Sequence, residues 1–201
     1  MLNADDPPAR PDNPAGRRVV VLVEGESDAV VVRILLRRRG IEDAEVVSMG
    51  GVTNVRTHLR AVATGGDEPV VLGLVDAPEE RFARRALRSR GIDVTTRDDL
   101  EGHGFFVCDV DLEDELMRSV GPPGVETALD DLGDLPRFRT FQKQLEWRGR
   151  PLHDQLHRFA GSGSGRKLRL AERLVEALTP ESTPPPLARL VERAGQNCPL
   201  D

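Results

Sequence analysis

Arg18-Val-Val-Val-Leu-Val23 is an unbroken apolar run, rich in β-branched residues, that stops abruptly at Glu24-Gly25-Glu26-Ser27-Asp28. A run without polar alternation fits a strand covered on both faces, which belongs in the interior of a parallel sheet. Residues 29–39 then carry apolar side chains at helical spacing and end at Gly40, with Ser27 placed to cap the helix. Strand, acidic turn and helix make the first half of a βαβ unit. The pattern repeats. A strand is expected over 44–48, followed by the Gly50-Gly51 turn and a helix around 54–63. Another is expected over 70–75, ending at Asp76, with a helix over 79–90 closed by Gly91. A fourth, over 104–108, leads into Asp109-Val-Asp-Leu-Glu-Asp-Glu-Leu116, whose acidic start suits the positive end of a helix. Strands alternating with helices predict an α/β fold with a mostly parallel four-stranded sheet flanked by helices.

From residue 135 onward the pattern is helical only, with helices expected over 137–147, 151–159, 167–178 and 187–194. Gly, Ser and Pro breaks such as Gly161-Ser-Gly-Ser-Gly165 and Pro184-Pro-Pro186 separate them. Pieces this short are not stable alone, so they are read as a helical extension packed on the sheet. Residues 1–17 lack apolar periodicity and read as a disordered tail. The division is therefore tail 1–17, α/β domain 18–134 and helical extension 135–201, and a chain of 201 residues leaves little room for more.

The net charge of −6 excludes a uniformly basic nucleic-acid coat, yet the signs are segregated. Residues 98–135 hold twelve acids against Arg118 alone, whereas 136–174 hold ten Lys/Arg against Glu146, Asp154 and Glu172. Such runs are commonly just solvated helix faces, but an acidic cluster beside a basic segment is also what a metal site beside a polyanion-binding surface requires. Cys108 and Cys198 are too few for a disulfide framework or a zinc site. No apolar run approaches the length of a membrane span, and the cytoplasm is the expected location.

In an open parallel sheet ligands gather at the carboxyl ends of the strands. Here those positions are acidic: Glu24 after the first strand, Asp76 after the third, and Asp111 and Glu113 after the fourth. Singly, each acid has a plainer use, Asp28 in capping a helix and Asp76 in solvating a loop. Together they would repel one another and raise their pKa values, a conflict that a divalent cation resolves. Oxygen ligands without a His or Cys cluster suit Mg²⁺ or Mn²⁺.

These residues resemble a known family. Leu22-Val-Glu-Gly-Glu-Ser-Asp28, Gly73-Leu-Val-Asp76 and Asp111-Leu-Glu-Asp-Glu-Leu116 are similar to the Toprim domain of topoisomerases, primases and OLD (overcoming lysogenization defect) nucleases. The Asp-Leu-Glu element and Ser164-Gly-Arg-Lys167 point to the OLD branch. The resemblance implies that Glu24 is a metal ligand or general base, that Asp28, Asp76, Asp111 and Glu113 are metal ligands, and that Lys167, or less readily Arg166, stabilises charge on a phosphate. The second acid of the family's Asp-x-Asp pair is replaced by Pro78, which offers no side-chain ligand. Glu80, or Glu79 beside it, stands in line to replace that acid. No Walker A sequence occurs, so any ATP dependence would come from a partner ATPase.

Arg148, Arg150, Arg166, Lys167 and Arg169 lie in the basic segment and are candidates to follow a DNA backbone. The stretch 162–167 reads equally as a flexible linker before a helix. Phe138, Phe141 and Trp147 are read as core residues, and His153 and His157, four residues apart, as one helix face. The resulting expectation is a metal-dependent DNA endonuclease or nickase. The alternative is a catalytically impaired Toprim domain that binds nucleic acid or a partner ATPase. A third reading, with Asp76 as an aspartyl nucleophile, lacks the second aspartate of the phosphatase pattern.

Overall fold

The computed structural model describes residues 18–62, 69–163 and 165–198. The tail expected at 1–17 and Ser164 lie outside the described residues. In chain order the elements are β1 (Val19–Val23), α1 (Glu26–Arg38), β2 (Glu45–Ser48), α2 (Val55–Val62), β3 (Val70–Asp76), α3 (Glu80–Arg88), α4 (Arg97–Gly102), β4 (Phe105–Cys108), α5 (Leu112–Asp131), α6 (Leu135–Phe141), α7 (Leu152–Ala160), α8 (Arg166–Ala177) and α9 (Pro185–Gly195). Short 3₁₀ turns, Val52–Asn54 and Ala77–Glu79, precede α2 and α3.

The four strands are all parallel, in the order β2-β1-β3-β4. Chain order therefore reverses direction across the β1/β3 pair, which makes that junction the crevice where ligands collect in open α/β sheets. Every residue of β1 is fully buried, as its unbroken apolar run requires. Val19, Val21 and Val23 pack toward α1, α5, α8 and α9, while Val20 and Leu22 pack toward α2, α3 and α4. Gly73 in β3 faces the second layer, where a Cβ would come within 2.5 Å of the Phe105 ring; only a residue without a side chain admits that ring.

The helices beyond residue 135 share a core with the sheet. α8 packs on α1 and α5, α9 packs on β3 and β4, and Leu170, Leu174, Leu187 and Leu190 join the cluster that contains Val19 and Val21. Arg38 ties α1 to α8 by donating to the carbonyls of Val175 (2.9 Å), Leu178 (3.1 Å) and Glu176 (3.0 Å), which cap the end of that helix. Among the described residues no helix is long and apolar enough to cross a membrane.

Three local expectations are corrected. Ser27 does not cap α1: the cap is Gly25 in extended conformation, whose N–H donates to the Asp28 carboxylate at 2.8 Å, while Ser27 is buried in the first turn. The helix expected over 137–147 stops at Phe141 because the Gln155 amide draws the following backbone into turns, donating to the carbonyls of Trp147 (3.0 Å) and Arg150 (2.8 Å). An unforeseen helix, α4, starts at Thr96, whose hydroxyl accepts from the Asp99 N–H while the Asp99 carboxylate accepts from the Thr96 N–H, a reciprocal cap.

Candidate metal centre

The carboxyl edge of the β1/β3 pair is built by backbone as much as by side chains. The Gly50-Gly51 turn lies across the end of β1: Met49 N–H donates to Val23 C=O at 2.8 Å and Gly51 N–H to Glu24 C=O at 3.0 Å. Both glycines have positive φ, 66° and 121°, so the turn approaches the strand end without a Cβ penalty. That clamp fixes Glu24 at the mouth of the crevice. Asp28 sits one helical turn further on, and Asp76 is the last residue of the neighbouring strand.

The acids that follow β4 arrive differently. Asp111 is the N-cap of α5, its Oδ1 accepting from the Asp114 N–H at 2.8 Å. Glu113 lies in the first turn and is almost wholly buried. Its Oε2 pairs with Lys167 Nζ at 3.0 Å, whereas its Oε1 is buried with no hydrogen-bond partner. Lys167 reaches this point from the first turn of α8, immediately after the glycine-rich stretch.

Glu24, Asp28, Asp76, Asp111 and Glu113 feel one another electrostatically. Burial together with the charges of Asp28, Asp111, Glu113 and Glu24 pushes Asp76 up to about 8. A hydrogen bond shared with Glu79, together with burial, raises Glu24 to about 7. Burial also raises Asp28 and Glu113, against the Gly25 N–H at the first and Lys167 at the second. Asp111 goes the other way: burial pushes it up, but the His157 hydrogen bond, the Asp114 N–H and Lys167 together hold it below the usual carboxylate value.

The two acids next to Pro78 separate. Glu79 turns in to share its hydrogen bond with Glu24, and its Oε2 is buried without a partner. Glu80 turns away, paired with Arg84 and, at 3.4 Å, with Arg97, which also holds Asp109 at 2.8 Å. Its carboxylate is thus occupied by guanidinium groups on the flank of the site.

The histidines on α7 are the partners that sequence reasoning left as a plain helix face. His157 Nε2 meets Asp111 Oδ2 at 2.8 Å and His153 Nε2 meets Asp114 Oδ1 at 2.6 Å. Their spacing of four residues matches the spacing of one helical turn, so α7 presents both rings to the start of α5. Only the unread pairing of α7 with α5 hid them. Arg166 and Arg169 are turned toward the buried Asp134, at 3.2 and 3.6 Å, and Arg166 also stacks on Phe159 at 4.0 Å. Arg148 and Arg150 lie apart from the carboxylates on an exposed loop.

The donor set is all oxygen, as a hard divalent cation requires. Among the described residues no group of three or more His, Cys, Asp or Glu side chains is arranged, as it stands, to hold a metal ion. The two orphaned carboxylate oxygens, Glu113 Oε1 and Glu79 Oε2, and the elevated values at Asp76 and Glu24 nevertheless mark the cluster as short of positive charge. An all-oxygen donor set short of positive charge is the chemistry that a hard divalent cation such as Mg²⁺ or Mn²⁺ takes.

No family model matches the chain, and no curated protein matches it in sequence. Solved structures do. The C-terminal region of the Burkholderia pseudomallei OLD protein is 20% identical, with a TM-score of 0.62 over 89% of this chain and 97% of that one. The C-terminal region of the Xanthomonas campestris pv. campestris OLD protein is 21% identical, with a TM-score of 0.63 over 89% and 94%. At such identity the likeness speaks for architecture: this chain has the Toprim-like α/β fold of the C-terminal regions of OLD proteins.

Proposed function

We propose that the chain is a Toprim-type nuclease or nickase that hydrolyses phosphodiester bonds of DNA with Mg²⁺ or Mn²⁺. The observation that carries this reading is that Asp76 feels the charges of Asp28, Asp111, Glu113 and Glu24 at the β1/β3 crevice, while Lys167 pairs with Glu113 and feels Asp28 and Asp111. Glu24, Asp28, Asp76 and Glu113 would hold the cation, with Glu79 in the place that Pro78 denies. Asp111 would contribute only through lone pairs left by its two hydrogen bonds.

When bound, such a cation activates water and neutralises charge on the phosphate. Glu24, through an oxygen not given to the cation, would take the proton of the attacking water as its oxygen bonds to phosphorus. Lys167 offsets negative charge on the phosphate as the ester P–O bond breaks. Its own charge is secured: burial lowers its pKa, but Glu113, Asp28 and Asp111 outweigh that and raise it.

Plasmid nicking in Mg²⁺ or Mn²⁺ tests the reading. Glu24→Ala and Lys167→Ala are each expected to lower the rate by about 100-fold or more, the scale for losing one group that acts on the reacting atoms. Wild-type rates in both variants would end it. The alternative, a module that only binds, needs no carboxylate beside Glu24; the Glu24–Glu79 contact favours hydrolysis.

A further inference from the structure

The loop 142–150, between α6 and α7, is held firmly at its base and left bare at its tip. Gln155 of α7 takes the carbonyls of Trp147 and Arg150 and accepts from Gln142 Nε2 at 2.7 Å. Trp147 stacks on Phe141 with ring centroids 5.2 Å apart. Beyond those anchors Leu145 is 87% exposed, flanked by exposed Lys143, Arg148 and Arg150. Lys143 and Arg148 make no side-chain hydrogen bond or ion pair among the described residues. Among the described residues the Arg150 side chain is engaged only by the Glu146 carbonyl at 3.4 Å and the Trp147 ring at 5.8 Å. One acid, Glu146, shares the loop, and Asp154 stands exposed on the helix that follows.

A lone exposed leucine on a protein surface needs no explanation. A leucine at the tip of an anchored loop, among three cations that the chain leaves largely unpaired despite its net charge of −6, is a different case. The same helix that anchors the loop through Gln155 holds the carboxylate cluster through His153 and His157, on its other face. The loop is therefore anchored on the side of α7 opposite the two histidines that meet the start of α5. Exposed, unpaired cations match the phosphates of a nucleic-acid backbone, and an apolar tip between them matches a sugar or an unstacked base step.

We propose that loop 142–150 is a DNA grip: Lys143, Arg148 and Arg150 contact phosphates, and Leu145 packs against the sugar–base surface between them. This rests on the reading that the chain acts on DNA, but it is tested without cleavage. Fluorescence anisotropy of a labelled duplex in chelator, over a salt series, compares the whole chain with a Lys143→Ala/Arg148→Ala/Arg150→Ala variant and with Leu145→Ser. All four positions are exposed, and unchanged melting temperatures establish that the variants are folded.

The triple variant is expected to bind at least about tenfold more weakly at low salt, with the log–log salt slope reduced by about 0.9 for each lost duplex phosphate contact. Leu145→Ser is expected to weaken binding several-fold with the slope unchanged, and to abolish the rise in 2-aminopurine fluorescence that an unstacked step gives in the wild type. Equal affinity and slope in the triple variant overturn the grip even if the wild type nicks plasmid. Loss of binding in that variant, alongside nicking that ignores Glu24→Ala, keeps the grip and sinks the nuclease. A Leu145→Ser protein identical to wild type in affinity and fluorescence overturns the role of the tip.

Discussion

Two acids of the cluster, one ending a strand and one opening a helix, lie on the same edge of the same sheet, yet they are electrostatically opposite. Asp76, at the end of β3, is pushed up to about 8, while Asp111, at the start of α5, is held below the usual carboxylate value although burial works against it. Burial therefore does not separate them; the neighbours do. Asp76 faces the carboxylates of Asp28, Asp111, Glu113 and Glu24, whereas Asp111 faces an imidazole and a backbone N–H. Asp76 is charge-starved and Asp111 is compensated by its own neighbours. Repulsion that folding does not relieve marks where an added positive charge would be most strongly held.

The largest effect expected from this contrast is at Asp76. Between about pH 4 and about pH 8 the folded chain keeps a proton that the unfolded chain has released, so in chelator stability is full at the acid end and declines as pH rises through about 8. Asp76→Asn removes that titration. Its melting temperature in chelator is expected to exceed the wild type's at alkaline pH by several degrees, while nicking falls by about 100-fold or more. Mg²⁺ or Mn²⁺ should raise the melting temperature of the wild type and fail to raise that of the variant. A wild-type melting temperature that climbs steadily from pH 5 to pH 8 in chelator would break the contrast at its root.

At the compensated Asp111, His157 is the test. Its pKa is raised, chiefly by the hydrogen bond to Asp111, so the two groups hold each other in place. His157→Ala should leave Asp111 misoriented and lower nicking and cation affinity by about 10- to 100-fold, the range for partners that orient a metal ligand. Calorimetric titration with Mn²⁺ reads the affinity apart from turnover. Equal affinity in wild type and variant would mean that Asp111 serves α5 as a cap and nothing more.

The neighbours of Pro78 sharpen the same boundary. Glu79→Gln removes the acid that faces Glu24 and is expected to lower nicking by about tenfold or more, the weaker end of the range for an acid–base group. Glu80→Gln breaks pairs with Arg84 and Arg97 on the flank, so its expected cost is about 1 kcal/mol or less in stability, with activity retained. Reversed outcomes, read by nicking rate and by thermal melting, would move the boundary of the site one residue along the chain.

Much of this was legible in the residues themselves. A short, unalternating β-branched run bounded by turn residues fits an interior strand, and an acid at the end of such a run lands at the carboxyl edge; Glu24 and Asp76 could be placed on those grounds, whereas Asp111 and Glu113 reach the edge from the start of α5. The pairings between distant helices were not legible. His157 meets Asp111 across 46 positions, and Gln155 reaches back to end a helix, neither of which leaves a local signature. The identity of the inward acid after Pro78 depends on the 3₁₀ turn Ala77–Glu79, which rotates Glu79 toward Glu24 and leaves Glu80 to open α3. One residue of phase there decides a ligand, and sequence periodicity does not resolve phase across so short a turn.

His153 gives the smallest expected effect and the finest discrimination. It touches Asp114 as His157 touches Asp111, at 2.6 against 2.8 Å, so a view in which any histidine on this face supports the site predicts equal losses. The two carboxylates differ in what else holds them. Asp114 also pairs with Arg118 at 2.6 Å, whereas the other oxygen of Asp111 is spent on the helix cap. Removing His153 leaves Asp114 with its guanidinium, at a cost in the range of a partly exposed pair, about 0–1 kcal/mol. His153→Ala should therefore nick plasmid within about fivefold of the wild type, since 1 kcal/mol amounts to about that factor in rate. A loss as large as that of His157→Ala would mean that α7 positions the whole start of α5 as a unit, and that its support of the cluster acts through the helix and not through Asp111 alone.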